Sequence, residues 1–322
     1  MSHLESKKSG WIAIADLGTN TFQLLIAKLE NGKMRTGLRK KVGVKIGKGG
    51  MGKMEIQPDA VQRAIDTLKE FSEDLEKFDL RPADCIVLGT SAFRNANNRT
   101  EVIKMIEQQT GFHVDIPTGD EEAALIFSGV LASGAILSDR TSLVVDIGGG
   151  SVEFIICKGQ AQVWRQSFEI GGLRLLEKFH HNDPISKLEM ETLHAFLESE
   201  LSALWRVIND CKPDVLVGCS GSFDTLIEMT MAAKGQPIHD VESNPFYSLD
   251  LADFEELKLK IVCSTLEERL QMKGMIPLRA EMMVVAILLI DCLLNKMENP
   301  QIRTSTFALK EGRFFQFYES TF

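Results

Sequence analysis

No C-x-x-C pair occurs in this chain, whose six cysteines stand scattered at positions 85, 157, 211, 219, 263 and 292. Such spacing offers neither a zinc site nor a disulfide framework. Cys85, Cys157, Cys219 and Cys292, set in apolar contexts, are expected as small core residues. An excess of positive charge is also missing. With 36 Lys and Arg against 45 Asp and Glu, the formal net charge of −9 argues against general nucleic-acid binding. An acidic protein that takes a polyanion must gather its cations and metal locally. No apolar run is long enough to cross a bilayer, since the longest, Met282 to Ile290, is closed by Glu281 and Asp291. Lys7 and Lys8 precede no apolar signal region, because Ile12 to Ala15 reads as the first strand, so the cytoplasm is the expected compartment. There is no low-complexity linker. What remains is a sequence of 322 residues, 44% hydrophobic and 25% charged, long enough for two domains packed around a shared cleft.

One motif is present twice. Ile12-Ala-Ile-Ala-Asp16-Leu-Gly18-Thr19-Asn20-Thr21 and Leu143-Val-Val-Asp146-Ile-Gly148-Gly149-Gly150-Ser151 each run from an apolar strand into an Asp, turn through glycine and small hydroxyl residues, and re-enter an alternating strand. Such a turn aims backbone N–H groups at an anion, and the Asp at the strand end is placed to hold a divalent cation directly or through water. Two such loops facing each other would clamp a polyphosphate chain and its metal.

The rest of the chain alternates strand and helix patterns, which makes it α/β. Strands fill 12 to 46 around a turn at Asn31-Gly32, and a glycine-rich stretch, Gly43 to Gly52, leads to Lys53 with Lys45 and Lys48 inside it. Pro58 opens a helix to about Phe78, Cys85 to Thr90 is a buried strand, and a helix follows near Arg99 to Thr110. Thr118-Gly-Asp-Glu121 fits a capping box, which occupies Glu121 and leaves the Glu122 carboxylate to point elsewhere. In the second half, strands at Leu143 to Asp146 and Val152 to Cys157 precede the turn Ile170 to Arg174. One long helix is expected over Ser186 to Asp210, then a strand at Val215 to Val217 and a third glycine-rich turn, Gly218 to Ser222. His180 and His181 read as an exposed helix end.

In their order along the chain, Asp16-Leu-Gly-Thr-Asn-Thr21, Gly89-Thr-Ser-Ala-Phe-Arg94, Gly119-Asp-Glu-Glu122-Ala, Asp146-Ile-Gly-Gly-Gly-Ser-Val-Glu153, Gly218-Cys-Ser-Gly-Ser222 and Ala308-Leu-Lys-Glu-Gly312 resemble the exopolyphosphatase and guanosine pentaphosphate phosphohydrolase family, over almost the whole length. The resemblance implies two ribonuclease-H-like domains of the actin, sugar-kinase and heat-shock-70 ATPase superfamily around a central cleft. They would span 1–125 and 126–302, with 303–322 packing back on the first.

By the same resemblance, Glu122 is the catalytic carboxylate that orients or deprotonates water, and Arg94 a basic residue lining the cleft. Asp146 and Glu153 match an acidic pair associated with metal and water. Asp16 and the turn Gly18, Thr19, Asn20, Thr21 match the first phosphate loop, and Gly148, Gly149, Gly150, Ser151 the second. Ser220, Gly221 and Ser222 supply far phosphate contacts. Glu281 stands where many relatives carry Asp, and Cys219 and Ser222 flank the Ser-Gly core, which departs from the pattern. The implied cofactor is Mg²⁺, and the implied substrate is inorganic polyphosphate or guanosine pentaphosphate, with no nucleic acid or membrane as partner. Longer relatives carry a further C-terminal helical region. Few distal phosphates and distributive hydrolysis are therefore expected here, unless a homodimer rebuilds the channel. The competing readings are an ATP-binding switch of the actin or heat-shock-70 kind and a non-catalytic polyphosphate sensor. Glu153 and the Glu121-Glu122 helix start favour the phosphatase.

Overall fold

The computed structural model describes residues 10–50, 52–237 and 244–319. They divide into two compact units, one formed by the described residues up to Glu122 together with those from Arg313, the other by Ala123–Gly312.

The first unit opens with an antiparallel meander, β1 (Ile12–Leu17), β2 (Phe22–Glu30) and β3 (Lys33–Val42). Asn31 and Gly32 between β2 and β3 both have positive φ, as a two-residue hairpin turn of the primed type requires. There follow α1 (Pro58–Glu76), β4 (Cys85–Gly89), α2 (Ser91–Asn95), α3 (Arg99–Thr110) and β5 (Val114–Asp115). Pro58 sits in the first turn of α1, where its missing N–H costs nothing. One face of that helix, including Ala64, Ile65, Leu68 and Phe71, is buried in the same apolar cluster as Ala15 and Phe22 of the meander. The sheet order is β3-β2-β1-β4-β5, with β4 parallel to β1 and β5 parallel to β4. Helix α4 (Gly119–Ser133) begins in this unit and continues into the next.

In the second unit the elements are β6 (Thr141–Ile147), β7 (Val152–Lys158), β8 (Ala161–Phe168), α5 (Gly172–Phe179), α6 (Lys187–Glu200), α7 (Ser202–Cys211), β9 (Val215–Cys219), α8 (Gly221–Ala233), β10 (Phe246–Leu249), α9 (Leu251–Val262), α10 (Leu266–Gln271), α11 (Met283–Asn295) and β11 (Gln301–Ser305), after which α12 (Leu309–Glu319) closes the described chain. The sheet order is β10-β11-β9-β6-β7-β8. Read from β8, it is again a meander, β8-β7-β6, followed by β9 parallel to β6 and β11 parallel to β9. It repeats the plan of the first sheet strand for strand and adds β10 at the edge. Each sheet is thus ribonuclease-H-like, and the duplicated Asp-Gly motif falls at the same place in both.

Four expectations change. The helix expected over 186–210 is two, because Leu201 leaves helical geometry between α6 and α7 (φ −92°, ψ 18°). Strands β5, β8, β10 and β11 were not anticipated, and Arg303–Ser305, expected beside the first domain, lie in β11 of the second sheet. The His180 side chain is only 5% exposed and stands 3.6 Å from Asp183, so it is no exposed helix end, whereas His181 is exposed. Burial, and then the neighbouring Arg269 guanidinium, hold its imidazole below the ordinary histidine value. The apolar run from Met282 forms α11, buried inside the second core. No described helix is long and apolar enough to cross a membrane.

Candidate active site

The two loops have one geometry. Gly18 N–H donates to Thr21 O at 3.0 Å, and Gly148 N–H to Ser151 O at 3.0 Å. A Cβ at Gly18 would lie 2.9 Å from Thr21 O, and one at Gly148 would lie 3.0 Å from Ser151 O, so the turn closes only around glycine. In each loop the carbonyls are tied from behind. The oxygens of Thr19 and Asn20 accept from Gly47 N–H (3.0 Å) and Lys45 N–H (2.8 Å). Those of Gly148, Gly149 and Gly150 accept from Gly172 N–H (2.8 Å), Leu173 N–H (2.9 Å) and Gly171 N–H (3.1 Å), with Arg174 Nε adding a second bond to Gly150 O at 2.8 Å. In a trans peptide the C=O and the next N–H point opposite ways. Fixing these carbonyls therefore turns the amides of Asn20 and Thr21, and of Gly149, Gly150 and Ser151, to the other side, which makes two anion-accepting nests. Gly171 permits the close backing, since a Cβ there would come within 2.4 Å of Gly150.

Behind each loop stands its Asp. Asp16 pairs across the meander with Gln23, whose Nε2 donates to Oδ2 at 3.3 Å. The equivalent cross-strand pair in the second unit is Asp146 with Glu153. Directly opposed residues share a sheet face with Cβ atoms about 5 Å apart, so two carboxylates here repel unless bridged or hydrogen-bonded. Both are almost wholly buried. Ser220 Oγ donates to Asp146 Oδ2 at 2.8 Å, and Ser167 Oγ donates to Glu153 Oε1 at 2.7 Å. Ser220 holds φ at 68° outside the usual range for a side-chain-bearing residue, and that strain, of order 1–3 kcal/mol, places its hydroxyl on the carboxylate. Within the second unit the donors at Asp146 and Glu153 are carboxylate oxygens, a hard pair that fits Mg²⁺ better than a thiophilic metal. Cys219, beside Asp146 in the adjoining strand, stays a neutral thiol because burial and then the Asp146 charge push its pKa up. Burial also pushes Cys157 up to about 11 and Cys292 up to about 12, as expected of core cysteines.

In the first unit, the capping box forms as its sequence indicated, with Glu121 Oε2 accepting from Thr118 N–H at 2.7 Å and Glu121 N–H donating to Thr118 Oγ1 at 3.2 Å. Hydrogen bonds from the Thr118 backbone and then its hydroxyl hold Glu121 below the ordinary carboxylate value. Glu122 is left to turn inward, where its Oε2 accepts from Arg94 Nη1 at 2.6 Å; the two side chains are 8% and 15% exposed. Arg94 also donates to Pro117 O at 3.4 Å. The resemblance set Arg94 toward phosphate, while the structure gives it a carboxylate partner. Its helix α2 starts beside the first loop, because Thr90 N–H reaches Leu17 O at 3.3 Å.

The third glycine-rich turn opens α8. Gly221 is required by Arg279, whose guanidinium lies where a Cβ would be, 2.4 Å away at Nε. Arg279 and Ser222 are both buried. Sequence reasoning passed over four supporting residues: Gln23, Ser167, Arg174 and Arg279. Ser167 stands directly opposite Glu153 across β7 and β8, a pairing that the sequence of β8 alone does not mark.

Each copy of the duplicated sheet thus bears a carbonyl-backed glycine turn and a strand-end Asp, half-buried at Asp16 and buried at Asp146. Comparison with known proteins gives the family. A model of the Ppx/GppA phosphatase family matches residues 25–321, and the chain belongs to that family. It is similar to an exopolyphosphatase from Cytophaga hutchinsonii, with 41% identity, a TM-score of 0.92, and coverage of 96% of this chain and 98% of the other. A Ppx/GppA family member from Aquifex aeolicus shares the fold at 23% identity and a TM-score of 0.78, over 97% and 98% of the two chains. The guanosine-5′-triphosphate,3′-diphosphate pyrophosphatase of Vibrio cholerae is 27% identical over 305 residues, 94% of this chain. The chain spans 58% of the length of that relative.

Proposed function

We propose that this protein hydrolyses terminal phosphoanhydride bonds, with inorganic polyphosphate as substrate and the 5′ end of guanosine pentaphosphate as the second candidate. The carrying observation is the pair of loops in which the carbonyls of Thr19 and Asn20, and of Gly148 to Gly150, are tied from behind, so that the amides that follow them are turned toward phosphate oxygens. The 41% identity to the Cytophaga exopolyphosphatase favours polyphosphate over the nucleotide.

Phosphoryl transfer needs placement, charge neutralisation and an oriented water, with little covalent work by the protein. The amides of Asn20 and Thr21, and of Gly149 to Ser151, take phosphate oxygens. Glu122, oriented by Arg94, accepts a proton from water as its oxygen forms a bond to the terminal phosphorus. The bridging P–O bond breaks, and orthophosphate and a chain shorter by one phosphate leave. In the second unit Asp146 and Glu153 would hold Mg²⁺, which when bound neutralises phosphate charge, and Asp16 is the corresponding carboxylate of the first unit. Ser220 and Ser167 position the two carboxylates. Neither a thiol nor a serine nucleophile enters. Phosphate release assayed with Mg²⁺ and with EDTA tests the reading: Mg²⁺-dependent release supports it, and turnover of equal rate in EDTA refutes the metal's part.

A further inference from the structure

The chain carries its positive charge very unevenly. From Lys33 to Lys53 there are eight Lys and Arg and no Asp or Glu, in a protein whose formal charge is −9. This run is strand β3 and the loop after it. Among its ion pairs are Arg35 with Glu30 and Lys40 with Asp74 and Glu70. β3 forms an edge of the first sheet, and lysines commonly guard such an edge against pairing with another chain. Guarding explains charge pointing outward. It does not explain one sign throughout, since mixed charges repel a second strand's pairing as well.

Register ties the run to the phosphate loop. Asp16 pairs with Gln23, and Gln23 with Lys41, so the three stand in one row across β1, β2 and β3 on one face of the sheet. Lys41 is thus two strand spacings, about 10 Å, from the strand-end Asp. Arg39 pairs with Leu25 in the next row on that same face. Beyond the strand, Lys45 N–H and Gly47 N–H are the bonds that back the loop itself, and Lys48 and Lys53 are exposed close after them.

We propose that this strip is a distal subsite for the phosphates of inorganic polyphosphate that lie beyond those gripped at the first loop, with Arg39, Lys41, Lys48 and Lys53 as its cations. The assignment rests on the polyphosphate reading above. An extended polyanion gains from a row of like cations through counterion release, and that gain grows with chain length.

The test replaces the three exposed lysines together, Lys41→Gln, Lys48→Gln and Lys53→Gln, with circular dichroism to confirm folding. On long polyphosphate, kcat/KM should fall about tenfold or more, several times further than on tripolyphosphate, and its decline with added salt should become shallower. Equal effects on long and short chains, or none, overturn the inference. Equilibrium binding of long polyphosphate to Glu122→Gln protein, with and without the three changes, reads the strip without turnover. Equal affinities again overturn it. Weakened binding alongside a wild type that releases no phosphate would sink the hydrolase reading while upholding the strip. Single-stranded RNA bound as tightly as polyphosphate through the same lysines would overturn the assignment of the ligand.

Discussion

Replacing Glu122 by Gln separates catalysis from folding, because the structure bounds the stability cost. Glu122 is buried, and its Oε2 accepts a hydrogen bond from Arg94 Nη1 at 2.6 Å. Gln has nearly the same volume and keeps an oxygen there, so the charged Arg94 donates to a neutral acceptor in place of a carboxylate, a difference of about 1 kcal/mol. Removing the group that receives the water's proton should cost far more, a fall in kcat of about 10²–10⁴, equivalent to roughly 3–5 kcal/mol. KM should move little, because the lost interaction belongs to the transition state. Steady-state phosphate release from polyphosphate, paired with urea unfolding, measures both quantities. A kcat near the wild-type value in a folded Glu122→Gln protein would remove this residue from the mechanism.

Further outcomes follow from the same geometry. Ser220→Ala removes the 2.8 Å bond to Asp146 and should weaken Mg²⁺ activation about 10–100-fold, read as a shifted Mg²⁺ titration with unchanged circular dichroism; an unmoved titration would assign Ser220 a different role. Gly148→Ala sets a Cβ 3.0 Å from Ser151 O, which displaces the loop amides and should raise KM by about tenfold, while a wild-type KM would show that those amides do not bind substrate. Glu189 concerns stability alone. Although partial burial pushes it up, hydrogen bonds from Ser186, His181 and Asn182 hold it at about 2, below its ordinary value of 4.5. Its folded-state value is depressed, so its contribution is full above pH 4.5 and is lost as pH falls toward 2. Glu189→Gln should therefore cost about 1 kcal/mol of unfolding free energy at neutral pH, and the gap from wild type should close near pH 2; a gap independent of pH would contradict this.

Local rules explain what the sequence made legible. The Asp-Gly turns, the Thr118–Glu121 box and the Pro58 helix start are each fixed within a few residues, and each appears in the structure. Failures arose where tertiary burial overrode the local pattern. Leu193, Leu197, Leu201, Leu204 and Ile208 keep a helical apolar spacing straight through the break at Leu201, with no Gly or Pro to mark it. In β11, Arg303, Thr304 and Ser305 are buried polar residues, so no apolar strand signal exists, and Arg303 Nη1 donates to Ala135 O. The partnership of Arg94 with Glu122 joins residues 28 apart and was invisible until the chain folded.

The central claim is that water attacks the terminal phosphorus of a polyphosphate chain. Turnover of polyphosphate with Mg²⁺ in heavy-oxygen water, followed by phosphorus NMR of the products, measures this directly. The account predicts orthophosphate carrying one solvent oxygen and a shortened chain carrying none. Solvent oxygen on the shortened chain, or no orthophosphate from polyphosphate at all, would contradict it.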